Sequence, residues 1–111
     1  MTAARLTSAL LVSVLLRQMA AGGGHAMVLA KGDATAGAIL IVVAERGRVT
    51  GLLERVLGQH GYRLAPAGPS DPDGPGAIDA YIAGRRRRDP DLWVVELDGA
   101  EAAATAEAVM A

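Results

Sequence analysis

An unbroken apolar segment in the middle of the chain sets the strongest limit on the fold. Residues 37 to 44 read GAILIVVA, and they are rich in β-branched side chains with no charged or hydrogen-bonding side chain among them. Such a run is typical of a central strand, because a strand with one face in water would alternate apolar and polar residues. The segment therefore predicts a β-sheet with other strands on both sides of it.

Composition limits how much can be built around this strand. The chain has 111 residues, of which 51% are hydrophobic and 21% charged, which describes one domain with one core. Cysteine is absent, which excludes disulfides, thiolate metal sites and cysteine nucleophiles, so nothing points to an oxidising compartment. The net charge of −1 gives no overall attraction to nucleic acids or anionic membranes.

The N-terminal segment predicts a helix from about Thr7 to Ala21. Thr7 or Ser8 can act as N-cap, and residues 22–24, all glycine, supply a left-handed stop. The same stretch superficially resembles a secretory signal, but the charged Arg17 directly follows an apolar run that is too short to span a bilayer. We therefore expect neither cleavage nor membrane insertion.

This helix has no clean polar face, because its apolar side chains point in every direction on a helical wheel. One sheet in a small domain covers only one side of a helix. We therefore expect a homodimer or a protein partner to cover the rest, with Leu11, Leu15 and Met19 as candidate interface residues.

Strands are expected over residues 25–31 and 37–44, joined by a link of hairpin length. Residues 48–57 are ambiguous: their apolar spacing fits an amphipathic helix, whereas Gly51 and the turn at 59–61 favour a strand paired in a hairpin with the next segment. Residues 66–76 hold four of the five prolines and are expected to form a loop.

The C-terminal third predicts a helix over residues 77–88, ended by Pro90, and a strand over residues 91–98. The four arginines at 85–88 spread around the helix and form no single basic stripe, so we do not expect nucleic-acid binding. The alanine-rich, acidic residues 99–111 are expected to be a frayed helix or disordered.

Arg85 continues the apolar stripe of the second helix and is expected to pair with an acid near the sheet. The candidates for that acid are Glu96, Asp33 and Asp91. A wider candidate cluster consists of Lys31, Asp33, Arg85, Arg88 and Glu96. It can be a ligand site for a carboxylate or phosphate, or a salt-bridge network that fixes the second helix on the sheet.

Known catalytic patterns are missing from the sequence. No serine stands in a nucleophile elbow with a histidine and an acid to complete a triad. His25 and His60 have no metal-ligand spacing around them, so we expect no metal, no cofactor and no catalytic residues.

Two sequence motifs resemble a bacterial family, the domain-of-unknown-function family numbered fourteen-ninety-one. They are Lys31-Gly32-Asp33 and the stretch RDPDLWVVE at residues 88–96, within a resemblance that covers roughly residues 5 to 98. The resemblance implies that residues 48–57 are a strand and that the chain is cytoplasmic. The sequence departs from the family where Leu11 replaces a common aromatic and where the strand around residues 62–65 lacks the usual tryptophan or other aromatic. The family implies no activity and no catalytic residues.

Together these observations predict an α+β fold of one domain over residues 1–98. Its elements follow the order α-β-β-β-β-α-β, with a mainly antiparallel five-stranded sheet, two helices packed on it and the last strand inserted into it. The expected function is a non-enzymatic interaction or dimerisation module. The alternative is a small anionic-ligand-binding or enzymatic domain that uses the Lys/Asp/Arg/Glu cluster.

Overall fold

The computed structural model describes residues 6–111, so Arg5 and the four residues before it lie outside the described part of the chain. The order of elements is the predicted one with a helix added at the end. In chain order the elements are α1 (Ser8–Ala21), β1 (His25–Ala30), β2 (Ile39–Glu45), β3 (Arg48–Gly58), β4 (Gly61–Ala67), α2 (Ala77–Arg88), β5 (Trp93–Asp98) and α3 (Ala102–Met110). The ambiguous segment at 48–57 is a strand, as the family resemblance implied.

The five strands form one mixed sheet in the order β1-β5-β2-β3-β4. The last strand is inserted as predicted, but it separates β1 from β2, so the expected hairpin between these two strands is wrong. β5 runs parallel to β2 and antiparallel to β1, which makes the sheet mixed. β2 and β5 are the two strands that are buried along nearly their whole length, as expected for the centre of a sheet that is covered on both faces.

Each face of the sheet has its own helical cover. α1 and α3 pack on one face, against a core that includes Ile41, Trp93 and Leu97. On the other face, α2 contributes Ile78, Tyr81 and Ile82 to a smaller core. Because no residue of α2 is fully buried, the second layer is thinner than the first.

α1 begins as predicted, with Thr7 as N-cap, and its left-handed stop is Gly23 at a φ of 84°. The candidate interface residues Leu11, Leu15 and Met19 are buried in the core between α1, the sheet and α3. They are therefore not available to a partner, and the prediction that they form an interface is corrected. No helix within residues 6–111 is both long and apolar enough to cross a bilayer.

The C-terminal segment is a third helix, where we expected a frayed or disordered tail. α3 buries Ala102, Ala106 and Met110 in the same core as α1. These three positions are spaced by four residues and therefore share one face of the helix, and the two alanines let that face approach α1 closely. This face of α3 covers the side of α1 that the sheet leaves open. The apolar pattern of α1 had predicted a second chain in that place.

Candidate functional site

The five residues of the candidate cluster lie on three different segments: the β1–β2 loop, α2 and β5. Lys31 directly follows β1, Asp33 lies in the loop before β2, Arg85 and Arg88 lie on α2, and Glu96 lies on β5. Among residues 6–111, no hydrogen bond or ion pair joins any two of the five. They do not form the compact cluster that the sequence suggested.

Arg85 forms its ion pair with Glu54, on β3, and also donates a hydrogen bond to the hydroxyl of Tyr81 at 3.2 Å. The hydrogen bond with Glu54 raises the pKa of the Arg85 guanidinium above its ordinary value, although partial burial opposes this shift. Pairing with an acid near the sheet is thus confirmed, but none of the three candidate acids is the partner. Glu54 was missed because its face of the sheet depends on the register of β3, the ambiguous segment.

Arg86, which was not a candidate, holds the end of α2 against the sheet. Its Nη1 donates to the carbonyl oxygens of Pro90 at 2.6 Å, Leu92 at 2.8 Å and Lys31 at 3.3 Å. Three carbonyls from two segments of the chain thus converge on one guanidinium. The guanidinium of Arg86 therefore stabilises the fold. Arg87 and Arg88 are the exposed members of the arginine run.

Asp33 organises the loop between β1 and β2. Its carboxylate accepts hydrogen bonds from the backbone N–H groups of Thr35 at 3.2 Å and Ala36 at 2.9 Å. Its own N–H donates to the carbonyl of Asp91, and its carbonyl accepts from the indole of Trp93 at 2.7 Å. A carboxylate used in this way fixes loop geometry, as in an Asx turn, and offers little to a ligand.

The same loop satisfies the N-terminus of α1. Ser8 N–H donates to the carbonyl of Thr35 and Ala9 N–H to that of Ala34, while Leu10 N–H donates to the Thr7 hydroxyl. Free N–H groups at a helix start attract anions. These three are occupied by other parts of the chain, so the start of α1 is not an anion site.

A cleft of about 390 Å³ lies beside this helix start, between the 35–39 loop and the β3–β4 hairpin. Its polar side chains include Arg55 and Tyr62, and the Arg55 guanidinium stacks 3.6 Å from the centre of the Tyr62 ring. The Nε of Arg55 also donates to the carbonyl of Met110 at 3.0 Å, at the end of α3. The guanidinium thus ties three elements together.

In the described part of the chain, β1 combines an unpaired backbone edge with exposed apolar side chains. β1 is the first strand in the sheet order and pairs only with β5, so its outer edge has no partner within residues 6–111. Met27 is 59% exposed and Leu29 is 46% exposed. Unpaired backbone beside exposed apolar side chains is the usual template for pairing with another chain.

The described part of the chain contains no candidate metal-binding site. No group of three or more histidine, cysteine, aspartate or glutamate side chains is placed to hold a metal ion there. His25, at the start of β1, and His60, in the β3–β4 turn, are both exposed and lie far apart in the sheet order.

The chain matches the model of a known protein family. Residues 6–107 match the model of the family described as Protein of unknown function (DUF1491). The chain belongs to the DUF1491 family. This confirms the resemblance inferred from the Lys31-Gly32-Asp33 motif and from residues 88–96, and extends it through most of α3.

Solved structures agree with the DUF1491 assignment. A crystal structure of a DUF1491 family protein from Caulobacter crescentus is 34% identical, with a TM-score of 0.73 and coverage of 86% of this chain and 89% of that one. An NMR structure of a family protein from the same organism is 33% identical, with a TM-score of 0.71 and 86% coverage of both chains. A solution structure of a protein from A. tumefaciens is 33% identical, with a TM-score of 0.68 and coverage of 86% and 87%. No curated protein matches the chain.

Proposed function

We propose that this DUF1491 protein is a non-enzymatic interaction module that docks a partner strand along the outer edge of β1. The observation that carries the proposal is the edge itself, where unpaired backbone lies beside the exposed side chains of Met27 and Leu29. A strand added there gains backbone hydrogen bonds, and the alternate side chains supply apolar contact.

The two edges of the sheet differ in a way that supports this proposal. β4, the opposite edge, carries Arg63 and Pro66, and both residue types discourage further pairing. β1 has no proline and no Asp, Glu, Lys or Arg between residues 25 and 30. Its one irregularity is a register shift between Val28 and Ala30, which leaves the run from His25 to Val28 regular.

The alternative, a site for a small anionic ligand, has less support from the geometry. Arg85 is paired with Glu54, and the Asp33 carboxylate is bonded to its own loop. Within residues 6–111 the side chains of Lys31, Arg88 and Glu96 make no hydrogen bond or ion pair, but they lie on three separate segments. A ligand that needs two converging cations has no such pair among these residues.

Site-specific photo-crosslinking tests the docking edge. A photoreactive amino acid is placed at Met27, and the matched control places it at Leu57, which is 64% exposed on β3 and far from β1 in the sheet order. In bacterial cells that express the chain, we expect an adduct of one defined mass from position 27 and none from position 57. The adduct should disappear when Leu29→Lys is added. Equal adducts from both positions, or none from position 27, would refute the proposal.

We place the module in the bacterial cytoplasm as part of the same proposal. The related structures come from the bacteria Caulobacter crescentus and A. tumefaciens, which supports a bacterial setting. Fractionation of cells with a chromosomal tag on the C-terminus is the check. Recovery in the periplasmic or membrane fraction would contradict it.

A further inference from the structure

We infer that the strand which pairs with β1 belongs to a second copy of this chain, giving a two-fold symmetric dimer with one continuous sheet. This inference rests on the proposed function and names its partner. It starts from the composition of β1, where residues 25–30 hold no side chain with a formal charge when histidine is neutral. Two copies can therefore lie side by side without placing like charges opposite each other.

The side chains of β1 are self-complementary in an antiparallel arrangement centred on Met27. A two-fold axis through this residue pairs Met27 with Met27 of the second copy and Ala26 with Val28, small against large. Ala26 and Val28 point toward the α1 face, where both are only partly buried because the sheet ends at β1. Met27 lies on the α2 face, opposite Glu96 of β5. The second copy would complete the burial of both faces of the strand.

A lysine lies just beyond one end of β1 and an acid from the start of α3 lies near the other end, which favours the antiparallel orientation. In this register Lys31, just beyond one end of β1, comes beside Gly23 of the second copy. Gly23 lines a cavity of about 240 Å³ together with the exposed Glu101, at the start of α3. Each dimer therefore brings Lys31 near Glu101 of the other copy, and it does so twice. The two Glu96 residues are three strand spacings apart, about 14 Å, a distance at which salt screens most repulsion.

The length of β1 sets the expected strength of the dimer. Six residues per copy bury much less than a standard interface, so we expect a dissociation constant of roughly micromolar or weaker. The dimer should therefore form in a concentration-dependent way. Sedimentation velocity and light scattering on the full chain, up to about 1 mM, cover the range in which such a constant is visible.

The first test introduces a charge at the centre of the interface. Met27→Lys places two ammonium groups opposite each other, and we expect it to weaken dimerisation by about tenfold or more. The residue is exposed, so the circular dichroism spectrum and melting temperature should stay those of the parent chain. Leu57→Lys, the matched control at another exposed apolar position, should leave the dimerisation constant unchanged. A dimer that survives Met27→Lys, or weakens equally with Leu57→Lys, overturns the inference.

The second test is charge reversal at the ends of the strand. Lys31→Glu alone and Glu101→Lys alone should each weaken the dimer several-fold, because each places like charges together. The double variant restores opposite charges and should recover most of the loss. Both residues are exposed, so the folded chain should tolerate the changes. Absence of recovery in the double variant overturns the register.

Failure of this inference and failure of the proposed function give different results. A one-chain mass at every concentration, together with a crosslinked adduct from position 27 to another protein, overturns the second copy and keeps the docking edge. A one-chain mass together with no adduct overturns both. Both are supported by an adduct of twice the chain mass from position 27, together with an adduct of the same mass from position 29 that Met27→Lys abolishes.

Discussion

The indole N–H of Trp93 donates a hydrogen bond to the carbonyl oxygen of Asp33 at 2.7 Å, across sixty positions of the chain. This contact joins the start of the central strand β5 to the loop that also holds the N-terminus of α1. Trp93 is buried, so this polar group of its side chain is satisfied inside the core. One side chain thus couples the core of the sheet to the position of the first helix.

Replacing Trp93 with phenylalanine removes this hydrogen bond and part of the ring. We expect Trp93→Phe to lower the free energy of unfolding by about 2 kcal/mol, because the carbonyl of Asp33 loses a donor and the core loses volume. Urea unfolding followed by far-ultraviolet circular dichroism measures the change. Tyr62→Phe, which keeps the ring under Arg55, is the control and should change stability by less than about 0.5 kcal/mol.

The backbone around Gly32 leaves no room for a side chain at this position. A Cβ atom there would overlap the carbonyl oxygen of Asp91 and lie 2.7 Å from the backbone nitrogen of Trp93. We expect Gly32→Ala to cost about 3 kcal/mol or more, since both neighbours are backbone atoms that cannot rotate away. Gly51→Ala is the control, because no atom lies within 4 Å of a Cβ at that position. Melting temperatures that fall equally in both variants would contradict the close approach.

Arg86 should be sensitive to replacement by lysine, although the charge is kept. An ammonium group cannot reproduce the position of the guanidinium Nη1 among three carbonyls, so we expect Arg86→Lys to cost about 1 to 2 kcal/mol. Hydrogen exchange should show faster exchange in residues 89–92. Arg87→Lys, at an exposed neighbour, should leave stability and exchange unchanged. Equal effects at 86 and 87 would rule out the carbonyl contact.

The Arg85–Glu54 pair should contribute about 1 kcal/mol or less, because both side chains are partly exposed. The raised pKa of Arg85 means that its contribution is complete below the ordinary pKa of arginine and is lost only as the pH rises through the higher folded value. The stability difference between the parent chain and Arg85→Gln should therefore stay constant from about pH 6 to about pH 10. Arg88→Gln is the control. A difference that fades within this range would contradict the assignment.

A charge on the buried face of α3 should unfold the chain or nearly so. Ala106 is fully buried against α1, and Ala106→Glu would place a carboxylate in the core at a cost of about 3 kcal/mol or more. Ala103→Glu, on the exposed side of the same helix, should have little effect. If both variants melted at the temperature of the parent chain, α3 would not belong to the core.

The sequence was sufficient to predict the order of the first seven elements and the insertion of β5, although residues 48–57 were assigned as a strand only through the family resemblance. It did not predict which strands β5 separates. The structure buries β2 and β5 together at the centre and leaves β1 at the edge, although β1 is also apolar on both faces. The apolar pattern of β1 alone does not distinguish a hairpin with β2 from an edge strand on β5.

The candidate site was harder to predict for a related reason. The position of Arg85 in an apolar stripe was enough to predict an acidic partner. The identity of that partner, Glu54, follows only from the pairing of β3 with β2. The role of Arg86 has no sequence signal, since its partners are backbone carbonyls. The burial of α3 was missed because alanine is compatible with both a disordered tail and a tightly packed helix.

The position of β5 also governs when the fold can form. This strand fills the centre of the sheet, yet it is the last of the five to be synthesised. A nascent chain that ends before Trp93 contains β2 and β3 as a paired unit but has nothing to bridge β1 to them. The sheet therefore closes only once residues 93–98 have left the ribosome, and until then the apolar edges of both β1 and β2 are open to chaperones.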